Sequence, residues 1–448
     1  MAVTASDPVR DLARLDELIA QQERLFLARM PRSTELLARA RRSLAGGVAS
    51  TWQDTAPQAV YVSHGLGSRI VDVDGNEYVD LHGGFGVMLV GHAHPAVVRA
   101  VTARIVQGSH FAQPTPDAVV VAEALAERFG LPLWRFCNSG TEATMDAVHL
   151  MRAITGRERI VKIEGTYHGH HDSVCVSVYE EEDIGPADRP VGVRTGREIP
   201  APMAALTLVA PFNDLAALER LFAEHRSEIA GVLVEPIMMN VGIIPPAPGY
   251  LEGLREITAR HGAILAFDEV KTGFTVGPGG VTRLSGVTPD IVCLAKALGG
   301  GLPCGAIGGT AEVMGHIADR TYQQVGTFNG NPLTMAAARA TLTEVLTPEA
   351  MVEGAEEVIA RQAVPAYVAA YGAKGSVIFA AQPWRNYRDF LTSDERWGHC
   401  HWLFQHNCGV FLPPWGKGEQ WTLSVQHTEA DAQRFVANFA TFARALRG

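Results

Sequence analysis

From about Pro95 onward, short apolar runs alternate with longer amphipathic stretches, and this alternation constrains the fold more than any other property of the 448 residues. The apolar runs fall at 134–137, 159–163, 206–210, 231–235 and 263–268, and helical spacing of apolar residues fills 117–129, 142–155, 215–225 and 250–261 between them. Strand and helix in strict alternation predict a mostly parallel sheet with helices on both faces, because parallel neighbours need a crossover connection. In such a sheet ligands collect beyond the carboxyl ends of the strands. The reading is therefore α/β: a large domain over 71–345, an N-terminal arm and small-domain part over 1–70, and a smaller α+β domain over 346–448. The arm carries apolar residues at helical spacing over 11–44, suited to packing on the body or on a partner subunit. A β-meander follows it, turning at Asp74-Gly75-Asn76.

Two of the apolar runs end on ions. Phe267 leads to Asp268, and Leu294-Ala295 leads to Lys296. An amine to condense with an aldehyde and a carboxylate to hold a pyridine nitrogen protonated are the two demands of pyridoxal phosphate chemistry. A lysine snorkelling from a strand end and an aspartate capping a helix would look the same locally. Asn138-Ser139-Gly140-Thr141-Glu142 follows a strand and opens a helix, which makes either a phosphate cradle or a plain N-cap. Tyr167-His168-Gly169-His170-His171-Asp172 offers a flat ring for a planar cofactor; its histidines have no second ligand cluster, and no metal is expected. Gly326-Thr327-Phe328-Asn329-Gly330 precedes a helical pattern over 333–346 and reads as a turn with a possible phosphate contact at Thr327.

Asn-Ser-Gly-Thr-Glu-Ala, Tyr-His-Gly, Phe-Asp-Glu-Val-x-Thr-Gly-Phe, Leu-Ala-Lys-x-x-Gly-Gly-Gly and Gly-Thr-Phe-x-Gly-Asn-Pro occur in that order. Together they resemble the class III aminotransferases of pyridoxal phosphate fold type I. Gly46-Gly47-Val48, Gly91-His92-Ala93-His94-Pro95 and Tyr167-His168-Gly169-His170 resemble the branch that contains glutamate-1-semialdehyde aminomutase and D-phenylglycine aminotransferase. The resemblance implies that Lys296 binds the cofactor and shuttles the proton, that Asp268 pairs with the ring nitrogen, and that Val270 and Tyr167 pack on the two ring faces. It further implies cofactor contacts from Ser139, Gly140, Thr141, His168, Glu235 and Asn240, with Thr327 supplied by a neighbouring subunit of a homodimer. The expected reaction is ping-pong transfer from an amine or amino acid to a keto acid or aldehyde, with the intramolecular aminomutase reaction as the alternative and a non-catalytic pyridoxal phosphate-binding protein as a third.

The sequence departs from that branch where the substrate carboxylate would bind. Gln53 stands at about the position of an arginine in the aminomutases, Lys271 replaces an uncharged residue, and Thr275 replaces an arginine. Losing a guanidinium from a carboxylate site costs about 1.5–3 kcal/mol of binding. Trp52, Phe85, Phe111, Trp415 and Trp421 are expected to make the pocket apolar enough for an aromatic or bulky substrate, with Lys271, Arg385 or Lys417 as possible anion partners. A formal net charge of -10 excludes a basic nucleic-acid surface, and no apolar run reaches the length of a membrane span. Six scattered cysteines and a start without a basic-then-apolar order fit a reducing cytoplasm; Cys137, Cys293 and Cys304 read as small buried thiols.

Overall fold

The computed structural model describes residues 8–347, 366–380, 382–414, 417–418 and 420–447. The arm forms two helices, Pro8–Arg29 and Pro31–Ala40, broken at Met30 because Pro31 cannot continue a helix from within. The first helix packs along the helix Glu395–Asn407, with Leu15, Leu18, Cys400 and Phe404 in one cluster. The meander follows as β1 (Val62–Leu66), β2 (Arg69–Asp72) and β3 (Glu77–Asp80). The boundary expected at residue 70 falls inside β2.

The alternating region folds into one seven-stranded sheet. Its strands are β4 (Leu133–Cys137), β5 (Arg159–Ile163), β6 (Thr207–Ala210), β7 (Ile229–Val234), β8 (Ile264–Asp268), β9 (Ile291–Leu294) and β10 (Gly305–Gly309), in the order β4-β10-β9-β8-β7-β5-β6. Only β10 runs antiparallel to its neighbours, so the other six point the same way. Both faces are covered. Successive residues of one strand enter different cores: Val232 and Val234 join one cluster while Leu233 joins another, and Leu265 and Phe267 are likewise separated from Ala266. The helix Gly140–Thr155 supplies Ala147, Leu150 and Met151 to the second cluster, whereas Pro116–Phe129 and Tyr250–His261 supply the first. The two-residue period of a strand and the helical stripe thus account for burial on both sides.

The last segment contributes β11 (Tyr367–Tyr371), β12 (Lys374–Ile378), β13 (Val410–Phe411) and β14 (Trp421–Thr422), and ends in the helix Glu429–Arg447. β12 lies between β11 and β14, while β13 pairs in parallel with β3. Chain segments from opposite ends of the sequence therefore share a sheet. The helix expected over 333–346 is α-helical only at Pro332–Ala340 and continues as a π turn over Thr341–Val345.

Candidate active site

A cavity of about 990 Å³ opens where the parallel strands end. Asp268 closes β8, and Lys296 lies just beyond β9 with a backbone φ of +47°, a conformation that costs a side-chain-bearing residue about 1–3 kcal/mol and recurs where function demands it. Both line the cavity. Burial pushes the Lys296 amine below its ordinary value, against the pull of Asp268 and Glu235 toward the charged form. A larger neutral fraction suits an amine that must add to an aldehyde. One oxygen of Asp268 accepts the Val270 N–H at 3.0 Å, and the other lies 2.7 Å from Nδ1 of His168. The His168 side chain is fully buried, and its Nε2 has no hydrogen-bond partner among the described residues. Its contact in the structure is thus with the carboxylate.

Phosphate-binding geometry lies at the end of β4. Ser139 is the N-cap of the sixteen-residue helix that begins at Gly140, its hydroxyl accepting the Glu142 N–H at 3.2 Å, while the Glu142 carboxylate accepts the Asn138 N–H. The plain cap is present, and the same residues also line the cavity. Free N–H groups of a first helical turn attract an anion. Gly140 has a packing reason as well: a Cβ there would lie 3.0 Å from both methyls of Val270. The Thr141 hydroxyl accepts the His170 N–H at 3.2 Å, tying this turn to the loop after β5. A helix N-terminus, a buried amine and an acceptor carboxylate on three strand ends match the phosphate, aldehyde and ring nitrogen of pyridoxal phosphate.

Glu235 organises the neighbouring side. Its carboxylate accepts the Tyr167 N–H at 3.0 Å, the Asn240 Nδ2–H at 2.8 Å and the Met239 N–H at 2.8 Å. Tyr167 and Asn240 both line the cavity. The Tyr167 ring meets Trp52 nearly edge-on at 5.6 Å, and Trp52 meets Phe85 at 5.5 Å.

Several expected pocket residues lie elsewhere. Gln53 is outside the cavity: it sits in the short turn Thr51–Gln53, exposed, with its side-chain oxygen on the Ala49 N–H at 3.1 Å. Phe111 is 46% exposed and packs toward Gly108, away from the lining. Trp421 belongs to the small-domain core against Gly375 and Phe435. Arg385 is at the surface beside Asp389. Thr327 is exposed and does not reach the cavity of its own chain. Trp415 lies outside the described residues. Lys417 does line the cavity, but Glu181 pairs with it at 3.1 Å.

Lys271 lines the cavity too, its amine donating to the Met239 carbonyl at 2.8 Å; burial and the nearby Lys296 push it down to about 7. Sequence reading overlooked Lys374, which is 1% exposed, lines the same cavity and donates to Thr422 Oγ1 at 2.8 Å. It also overlooked Gln420, Tyr179 and Phe390. No motif marks these residues, and Lys374 in a half-apolar strand reads as an ordinary exposed lysine. Cys137, Cys293 and Cys304 are buried as expected, and burial pushes Cys304, on the cavity wall, up to about 12.

Comparison with known proteins agrees with this geometry. Residues 50–363 match the model of the family described as aminotransferase class-III. The chain is 38% identical over 432 residues to glutamate-1-semialdehyde 2,1-aminomutase 2 of Brevibacillus brevis, covering 93% of this chain and 99% of that protein. It superposes on an ω-transaminase from Sphaerobacter thermophilus with a TM-score of 0.87 at 35% identity, covering 93% of this chain and 98% of that one. A glutamate-1-semialdehyde aminomutase from Pseudomonas aeruginosa, solved in complex with PMP, superposes with the same TM-score at 29% identity, over 97% and 99% of the two chains.

Proposed function

The chain belongs to the class III aminotransferases, with pyridoxal phosphate as cofactor, and from that premise we propose that it transfers an amino group from an amine or amino acid to a separate keto acid or aldehyde. The observation that carries this reading is Gln53. The aminomutase branch is expected to hold its substrate carboxylate with an arginine at that position, and here the side chain is both neutral and outside the cavity. An aromatic ring fits the space beside Trp52, Phe85 and Tyr167. The ω-transaminase likeness is in keeping with it.

Bound in this site, the cofactor supplies an aldehyde that takes up the amino group and a protonated ring that accepts the electrons left at the donor carbon. The chain's own residues do the remainder. Lys296 would hold the cofactor's aldehyde carbon and, as a free amine, would take the proton from the donor carbon and return it after the transfer. Asp268 keeps the ring nitrogen charged, and His168 holds that carboxylate in place. The N–H groups behind Ser139 anchor the phosphate, with Thr327 of a second copy completing the anchor in a homodimer. Trp52, Phe85 and Tyr179 line the cavity and would cover the reacting carbon once a substrate is seated.

The aminomutase remains the second reading, because the curated relatives carry that name at 38–39% identity over nearly their whole length. One experiment separates the two. Purified holoenzyme given an aromatic amine and no acceptor should release one ketone per site and stop, then turn over when pyruvate is added. Continuous conversion of glutamate-1-semialdehyde without any acceptor, and no acceptor-dependent turnover, would establish the aminomutase instead.

A further inference from the structure

A transferase that draws on amino acids or keto acids must receive a carboxylate somewhere, and Gln53 does not supply the place. The described cationic side chains of the cavity wall are Lys271, Lys296, Lys374, Arg396 and Lys417, apart from the histidines. Lys296 is reserved for the cofactor. Arg396 is held by Asp394 and Asp16, at 2.6 and 3.3 Å, and Lys417 by Glu181. Lys271 and Lys374 have no carboxylate within ion-pair distance among the described residues; each has three donors, of which one is satisfied by a neutral oxygen.

The two amines are brought to one corner. Lys271 Nζ and Gln420 Nε2 converge on the same Met239 carbonyl. Gln420 stands two residues before Thr422, the partner of Lys374 Nζ, and alternate residues of an extended chain face the same side. The side-chain oxygen of Gln420 is buried there with no donor on it among the described residues. Gly86 closes the corner: a Cβ at 86 would lie 3.3 Å from Lys374 Nζ. Burial lowers both lysines below their ordinary value, Lys374 well below; Lys296 lowers each of them further, and Lys271 also lowers Lys374. Burial thus favours the neutral amines while the corner is empty, and an anion seated between them would draw both toward their protonated, charge-pairing form.

We propose that Lys271 and Lys374 together form the carboxylate subsite of this enzyme, taking the place of the missing arginine and selecting substrates that carry a carboxylate. The inference rests on the transferase reading and narrows it: the amino acid or keto acid is held by its carboxylate at the Met239–Thr422 corner, while any aromatic part lies against Trp52 and Phe85. Such an arrangement favours substrates with an acid and a ring separated by a short chain.

Equilibrium binding to the cofactor-loaded enzyme tests it, with 3-phenylpropionate and its neutral amide as non-reactive probes in calorimetry. Wild-type enzyme should bind the acid more tightly than the amide; Lys271→Met and Lys374→Met should each weaken the acid roughly 10- to 100-fold, as expected for a charge-assisted hydrogen bond. The amide should change by no more than about twofold, and Lys374→Arg should retain most of the acid's affinity. Equal losses for acid and amide, or variants that bind the acid as wild type does, would overturn the subsite. Should a methionine variant not fold, the wild type still answers. Affinity for the acid should fall as pH rises from 6 to 9, because Lys271 loses its proton there among Lys296, Lys374, Glu235, Asp268 and His82; a pH-independent affinity would overturn the proposal. Binding is read without turnover, so absence of acceptor-dependent activity would count against the transferase reading alone.

Discussion

The wall built from strand ends and the wall built from the first and last segments of the chain are made differently. Asp268 ends β8, and Lys296, Ser139, Tyr167 and Glu235 lie within four residues of the ends of β9, β4, β5 and β7; Asp268, Ser139 and Glu235 are tied to nearby backbone or to side chains of the same wall. Trp52, Phe85, Lys374, Phe390, Pro413 and Gln420 come from loops, short strands and helices that meet only in the folded chain. On the proposed function, one wall would answer to a fixed cofactor and the other to a substrate. Variants of the first should therefore lower kcat for every donor alike, and variants of the second should change the ratio between donors.

The largest effect is expected at Lys296. Lys296→Ala should abolish the absorbance of lysine-bound cofactor and cut turnover by about 10⁴-fold, the upper range for positioned acid–base catalysis; undiminished turnover would remove Lys296 from the strand-end wall. Asp268→Asn should leave cofactor bound but lower kcat by roughly 10²- to 10³-fold with all donors, since a neutral amide does not hold the ring nitrogen protonated. Stopped-flow loss of the donor-carbon proton is the measurement. His168→Phe keeps the ring and deletes the 2.7 Å contact to Asp268, so kcat should fall about tenfold, the worth of one charge-assisted hydrogen bond. A drop as deep as that of the aspartate variant would mean the histidine touches the cofactor itself. Trp52→Ala belongs to the other wall and should raise KM for an aromatic donor roughly 3- to 10-fold while a small aliphatic donor changes little, given about 0.5–1.5 kcal/mol per aromatic contact. Smallest of all is Gln53→Arg: with residue 53 outside the cavity, steady-state constants should move less than about twofold, and a restored preference for small dicarboxylic donors would show that residue 53 swings in.

The same division explains what could be read from the sequence. Six of the seven strands and the positions of Asp268 and Lys296 are local properties, each following from an apolar run and its length; β10, mostly glycine and antiparallel, shows no such run. The segment wall is not local. Lys374 and Lys271 are distant in sequence; Lys271 shares the Met239 carbonyl with Gln420, Lys374 bonds Thr422 two residues on, and no periodicity announces either contact. Phe111 and Trp421 looked like pocket aromatics because burial against a core and exposure to a ligand draw on the same residue types. Gln53 stands out in the sequence as a neutral residue where the resemblance implies an arginine, and the turn Thr51–Gln53 places its side chain on the Ala49 N–H, outside the cavity.

The pairing of β13 with β3 has a consequence in time. During synthesis the seven strands and Lys296 leave the ribosome well before β12, β13 and β14, at about 5–20 residues per second. A nascent chain thus owns Asp268 and Lys296, together with Trp52, Phe85 and Lys271, before it owns Lys374, Phe390 and Gln420, which complete the second wall. Cofactor capture can precede closure, so the step that seals specificity is the docking of the last strands onto a sheet that has been waiting for its partner.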